Sequence, residues 1–383
     1  MAGKRSIFEE VGTVEKVPVP QGGMIERGRR GARRGVRIWL TILFVLVAAM
    51  IVVGGLTRLT DAGLSITEWR PLTGALPPLT AAEWQAEFDR YRAIPEYQLQ
   101  NKGMTLIEFQ VLYWWEWGHR QLGRVIGLVW ALGFLGFLVA RRIPRGWVWR
   151  LLLVGLLGGA QGAVGWWMVS SGLTGTMLDV ASYRLAVHLG LAFVILGLLT
   201  WYILLLGRTD AELMQARRVR ERGLFGLSTG VMHLAFLQIL IGALVAGIDA
   251  GRAFPTWPDM NGQFFPADAL YVPGRPQWAA LFENAGLVQF VHRMTGYLLF
   301  VFGLFVWLRG RRSVHLSTRR AFDWLAVMLF GQVVLGIVTV LTAAQPHAAL
   351  THQVGAVILW VLILRARFLS QYPRAGSIRK GTA

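Results

Sequence analysis

Two segments of this chain open on the same pattern, His119-Arg120-Gln121-Leu122-Gly123 and His292-Arg293-Met294-Thr295-Gly296. Each is followed by a second histidine near a glycine, His188-Leu189-Gly190 after 69 residues and His352-Gln353-Val354-Gly355 after 60. All four lie in apolar stretches, where a bare imidazole in lipid is costly and calls for a partner. Two imidazoles on neighbouring membrane helices can supply both axial nitrogens of a six-coordinate heme iron. One such histidine alone would be read as a hydrogen-bonded packing residue. Four at matching places favour two bis-histidine heme sites, and the glycines beside them leave a flat macrocycle room to approach the backbone.

Glu116 precedes His119 by three residues and shares its helix face. The second half has Gln289 at the matching place, so the carboxylate belongs to the first site only. An ionised acid in Leu112-Tyr113-Trp114-Trp115-Glu116-Trp117 is expensive, which points to function, with an interfacial ion pair to Arg120 or Arg124 as the structural alternative. Arg120 and Arg293 are candidates for pairing with heme propionates, which suit guanidinium forks. His347, five residues before His352, is the rival ligand in the second half. His233 reads as a packing residue and His315 as a solvated loop residue. The tryptophans at 114, 115, 117, 166 and 167 read as an interfacial belt.

The elements that must hold these residues follow from composition. Of 383 residues, 54% are hydrophobic and 16% charged, with 45 glycines, which excludes an ordinary soluble domain and fits a polytopic, all-α membrane protein. The formal charge of +18 is not a nucleic-acid surface, because the basic residues fall in blocks between apolar runs. With no cysteine there is no disulfide, thiolate ligand or iron–sulfur cluster. The N-terminus lacks a signal-peptide layout, so no cleavage is expected. Eight runs can cross a bilayer at roughly 20 residues each: 37–58, 106–140, 150–170, 185–206, 224–248, 286–308, 321–343 and 350–366. Alternate connections and both ends carry 28 of the 39 Lys and Arg residues, so these are expected in the cytoplasm. All four histidines then fall toward the outer ends of the second, fourth, sixth and eighth spans.

Spans one to four and five to eight read as one unit used twice, giving two tandem pseudo-symmetric four-helix bundles. The expected division is a basic N-terminal segment at 1–36, a first half at 37–206, a linker at 207–223, a second half at 224–366 and a tail at 367–383. A glutamine and a glycine four residues apart recur as Gln161/Gly165, Gln238/Gly242 and Gln332/Gly336. In the long 59–105 connection, Thr80-Ala81-Ala82-Glu83 caps a short amphipathic helix with Trp84, Phe88 and Tyr91 on one face. The 249–285 connection, rich in Pro, Gly and aromatic residues, is expected to lack regular structure.

The motifs together resemble the heme A synthase family. They are Gly54-Gly55-Leu56-Thr57-Arg58-Leu59-Thr60-Asp61-Ala62-Gly63-Leu64-Ser65, Trp69-Arg70-Pro71 with Gly74 and Pro77-Pro78, and Glu116-Trp117-Gly118-His119-Arg120 with Gly123-Arg124. Asp249-Ala250-Gly251, Thr256-Trp257-Pro258-Asp259-Met260-Asn261-Gly262, His292-Arg293 with Gly296 and Thr351-His352-Gln353 with Gly355 complete them. The resemblance spans about residues 45 to 366 and is closest to the proteobacterial and mitochondrial branch. It implies a bacterial inner-membrane enzyme that oxidises the C8 methyl of heme O to a formyl group, making heme A for terminal oxidases. It further implies a resident heme b on His292 and His352, substrate heme on His119 and His188, Glu116 as the functional acid, and a heme O synthase as supplier. Some members carry an outer-loop cysteine pair, which this chain lacks. The rival reading is a di-heme cytochrome b that passes electrons from quinol. A transporter is a third class, weakened because no span is broken at mid-membrane. Membrane lipid is the surrounding partner, no nucleic acid is expected, and the electron donor or acceptor and a homo-oligomeric state are left open.

Overall fold

The computed structural model describes residues 24–175 and 177–374. Eight long helices dominate: α1 Met24–Leu59, α2 Leu106–Val139, α3 Val148–Val169, α4 Ser182–Leu206, α5 Arg222–Gly247, α6 Ala285–Gly310, α7 Leu316–Leu341 and α8 Pro346–Gln371. All eight are long and apolar enough to cross a membrane, and no strand forms among the described residues. The chain is an all-α, multi-pass membrane protein.

Local chemistry starts the helices where the sequence places them. Before α2, Thr105 Oγ1 accepts from the Glu108 N–H at 3.3 Å while the Glu108 carboxylate accepts from the Thr105 N–H at 2.8 Å. Asn284 caps α6 through the Leu287 N–H at 2.9 Å, and Pro346 occupies the first turn of α8. Several helices outrun the expected apolar runs. α1 begins at Met24 and α8 continues to Gln371, so neither terminal segment starts where the hydrophobic pattern changes. Backbone hydrogen bonding continues past the hydrocarbon layer, whereas apolar patterning marks only the layer itself. Residues 1–23 and 375–383, most of the two expected basic terminal segments, lie outside the described residues.

Within each half, consecutive long helices pack together and the fourth returns to the first. The halves meet where α4 packs on α5 and α8, and α1 on α8. Leu40, Leu43, Phe193, Leu196, Leu199, Phe322, Leu325 and Ile363 fill the apolar interior. The Trp360 indole N–H donates to the Phe193 carbonyl at 3.1 Å across the seam between halves. Outward faces carry Leu128, Leu132 and Leu135 on α2 and Val327, Phe330 and Val334 on α7, surfaces suited to lipid rather than water.

The ends of the helix array differ. At one end lies the Ala81–Arg92 helix, begun by the capping box of Thr80 and Glu83, with Phe88 and Tyr91 buried against Phe109 and Tyr113 of α2. The start of α2 therefore packs against this loop helix. The 249–284 segment is not wholly irregular: it holds short helical turns at Ala250–Ala253, Gln277–Ala279 and Ala280–Glu283. Arg58, at the end of α1, contacts Asp61 at 2.7 Å, Asp179 at 3.3 Å and Asp249 at 3.0 Å, joining three loops from both halves. At the opposite, basic end, Asp210–Arg218 forms a capped helix between α4 and α5.

Candidate functional site

Each of the four repeated histidines is seated against a glycine of the preceding helix in its half. A methyl on Gly54 of α1 would stand 3.0 Å from His119 Cε1, and one on Gly165 of α3 would stand 2.8 Å from His188 Cε1. In the second half the distances are 3.1 Å from Gly242 of α5 to His292 and 3.2 Å from Gly336 of α7 to His352. Glycine at these places lets the ring lie against bare backbone. His119 lies within electrostatic reach of His188, and His292 within reach of His352.

The recurring glutamine has a role that sequence reasoning noted as a pattern but did not assign. Gln161 Nε2 donates to the His188 carbonyl at 3.0 Å, Gln238 Nε2 to that of His292 at 3.0 Å, and Gln332 Nε2 to that of His352 at 2.8 Å. The glutamine therefore holds the histidine's backbone while the glycine four residues on receives its ring. Spacing alone shows the pair but not the partner, because the contact crosses between helices.

Among the described residues no group of three or more His, Asp or Glu could hold a bare metal ion. Pairs of imidazoles are the donor set for an iron that brings four nitrogens of its own. The surroundings fit such a group. His188 Nδ1 and the Oε1 atoms of Gln161, Gln238 and Gln332 are buried without hydrogen-bond partners.

Glu116 is almost fully buried and fully engaged. Its Oε2 accepts from Ser65 Oγ and the Ile66 N–H, both at 2.7 Å, and its Oε1 accepts from Arg120 Nε at 3.0 Å and Nη2 at 2.6 Å. Arg120 also donates to the carbonyls of Ile66 and Glu68, at 2.7 Å and 3.1 Å. Its guanidinium thus staples the first loop to α2. The second half repeats the staple with a neutral partner. Arg293 donates to the carbonyls of Phe254 and Asp259, at 2.9 Å and 2.7 Å, and to Gln289 Oε1 at 3.3 Å, leaving its Nε buried and unpartnered. Of the two arginines in the Glu116 alternative, Arg120 makes the pair; Arg124 donates to Gln121 and to the carbonyls of Arg70 and Pro71.

The remaining histidines fall outside the paired sites. His347 is exposed in the first turn of α8, one and a half turns from His352. His233 lies on an outward face of α5 rather than in the packing. His315 is buried, not solvated: it begins α7 in a tight connection where Ser313 Oγ binds Glu221 and accepts from the His315 N–H. Sequence reasoning also missed Glu96, buried beneath the first loop, where burial and then the nearby Asp179, Glu116 and Asp61 push its carboxyl up to about 8. Its only signal was an acid between apolar residues in Ile94-Pro95-Glu96-Tyr97.

Residues 37–364 match the model of a family described as cytochrome oxidase assembly protein. The heme A synthase of Cereibacter sphaeroides is 66% identical over 386 residues, covering 99% of both chains. That of Dinoroseobacter shibae is 65% identical over 385 residues and all of both chains, and that of Ruegeria pomeroyi 65% over 381 residues, covering 99% of this chain. The match runs through every span that carries a paired histidine and through both loops stapled by arginine, and the chain belongs to the heme A synthase family.

Proposed function

We propose that this chain is a heme A synthase, oxidising the C8 methyl of heme O to a formyl group for use in terminal oxidases. The observation that carries the reading is asymmetry between two matched sites, on top of full-length kinship with heme A synthases. Both halves have a glycine-seated histidine pair and an arginine staple, but only the first carries a carboxylate, Glu116, where the second has Gln289. An acid at one site alone suits two sites with different tasks rather than two equivalent relays.

On this reading His119 and His188 hold the substrate heme, and His292 and His352 hold a resident heme b. When bound, the resident heme supplies one-electron redox chemistry in a low-spin, bis-histidine setting. The chain's own residues seat the rings, fix their orientation and close the loop side against water. Glu116 serves the reaction at the first site as a buried acid one turn from His119. Arg120 and Arg293 would be the residues to pair with heme propionates, a role supported in the second half by the unpartnered Arg293 Nε.

The two helix rings are taken as tandem, pseudo-symmetric halves. Basic residues put the termini and the Asp210–Arg218 helix in the cytoplasm and the paired histidines toward the outer face of the bacterial inner membrane. Heme O then arrives from a heme O synthase in the same bilayer. Expression beside a heme O synthase in a host without heme A tests the activity. Extracted pigment should contain heme A, whereas only hemes O and b would leave the di-heme cytochrome reading in its place.

A further inference from the structure

The four histidine seats share a glycine under the ring but differ in what holds the histidine's carbonyl. Three of the histidines have their carbonyl held by a glutamine that lies four residues before the seating glycine: Gln161 with Gly165, Gln238 with Gly242 and Gln332 with Gly336. Four residues before Gly54, the seat of His119, stands Met50. The methionine occupies the place of the amide. Met50 Cε would lie 3.5 Å from a methyl on Gly123, four residues after His119, and Gln238 Nε2 would lie 3.2 Å from one on Gly296, four residues after His292. A thioether has no N–H to give.

Among the described residues no side chain donates to the His119 carbonyl in the amide's place. Thr57 Oγ1 lies 3.4 Å from His119 Nδ1, but its proton goes to the Val53 carbonyl at 2.9 Å, so it can only accept from the ring. That contact turns Nε2 toward a ligand without holding the backbone. We propose that His119 is the releasing ligand: the one axial histidine of the four built without an amide tether, which lets the N-terminal pair exchange its heme while the C-terminal pair keeps its own.

The physical argument is one of coupling between ligand and scaffold. An axial ligand holds iron as firmly as its supports hold the ligand. A tethered histidine cannot shift with its backbone without stranding a buried amide. A resident cofactor calls for two tethered ligands, and His292 and His352 are both tethered. A site that takes in one heme and gives up another calls for a ligand that withdraws freely, and only His119 is so placed. The inference rests on the assignment of substrate heme to the first half.

The test loads the full-length protein in nanodiscs with ferric protoheme and follows transfer to excess apomyoglobin. The wild type should lose heme in two phases, the faster one absent from His119→Ala. Met50→Gln should slow that phase about three- to tenfold, one hydrogen bond's worth. The reciprocal Gln238→Met should speed the slow phase by a similar factor, and decides the matter if Met50→Gln does not fold. A single-phase release from the wild type, an unchanged fast phase in a folded Met50→Gln or an unchanged slow phase in Gln238→Met overturns the proposal. Heme A yield is read separately from the same cells. Two-phase release without heme A refutes the proposed reaction and leaves the ligand assignment standing.

Discussion

Replacing Glu116 by glutamine removes the charge and keeps an amide oxygen for Arg120, as Gln289 does for Arg293. Its NH2 meets the Ser65 hydroxyl and the Ile66 N–H where the carboxylate accepted. Folding and resident heme should survive in Glu116→Gln, while heme A per folded protein falls by roughly a hundredfold if the acid serves the reaction. Normal heme A, or loss of resident heme together with activity, would make Glu116 structural. Gln289→Glu should leave heme A formation intact, since the second site does not perform the oxidation. Glu96 predicts a pH effect. Its carboxyl is pushed from an ordinary 4.5 up to about 8, chiefly by burial. A raised value in the folded state means that its contribution to stability is complete below about pH 4.5 and is lost as pH rises through 8. The unfolding temperature of the wild type should fall between about pH 4.5 and 8 and level off above that, and Glu96→Gln should flatten that decline. An equal decline in both proteins would mean that Glu96 is not the group responsible.

At the scale of elements, the glycine seats carry a graded prediction. Gly165→Ala puts a methyl 2.8 Å from His188 Cε1, whereas Gly336→Ala puts one 3.2 Å from that of His352. The first distance forces the ring to move and the second asks for a few tenths of an ångström, so overpacking should cost more at Gly165, about 1–3 kcal/mol. Heme retained after purification measures it, with the N-terminal pair more affected by Gly165→Ala than the C-terminal pair by Gly336→Ala. The elements also show what could be read from the chain alone. The capping box at Thr80 and the eight apolar runs were legible because they are local patterns. The glutamine and glycine spacing was visible too, but which histidine it grips depends on packing between helices. His315 and Glu96 escaped for the same reason. Their burial comes from segments far away in sequence, and their own neighbourhoods read as loop.

For the whole molecule, Arg58 is the clasp between halves. Its guanidinium meets Asp61, Asp179 and Asp249, and the Asp179 carboxyl is raised by burial and by its two acidic neighbours even with Arg58 pulling it down. Arg58→Gln should destabilise the protein more at pH 8 than at pH 5, because Asp179, whose carboxyl is already raised, takes up a proton as pH falls and relieves the stranded cluster. Equal destabilisation at both values would assign Arg58 a packing role only. The proposed orientation predicts that reporters fused after Arg145, Arg218 or Arg311 report the cytoplasm, and those within 85–100 or 260–280 report the outside. Reversal of any one would break the shared depth of the histidines.

The central claim is that two similar histidine pairs do different work, and a comparison of His188→Ala with His352→Ala tests it most directly. Each is purified after co-expression with a heme O synthase, and its low-spin spectrum and extracted pigments are measured together. His188→Ala should keep the bis-histidine spectrum of the resident heme and make no heme A. His352→Ala should lose that spectrum. Heme A made by His188→Ala, or an unchanged resident spectrum in His352→Ala, would contradict the account.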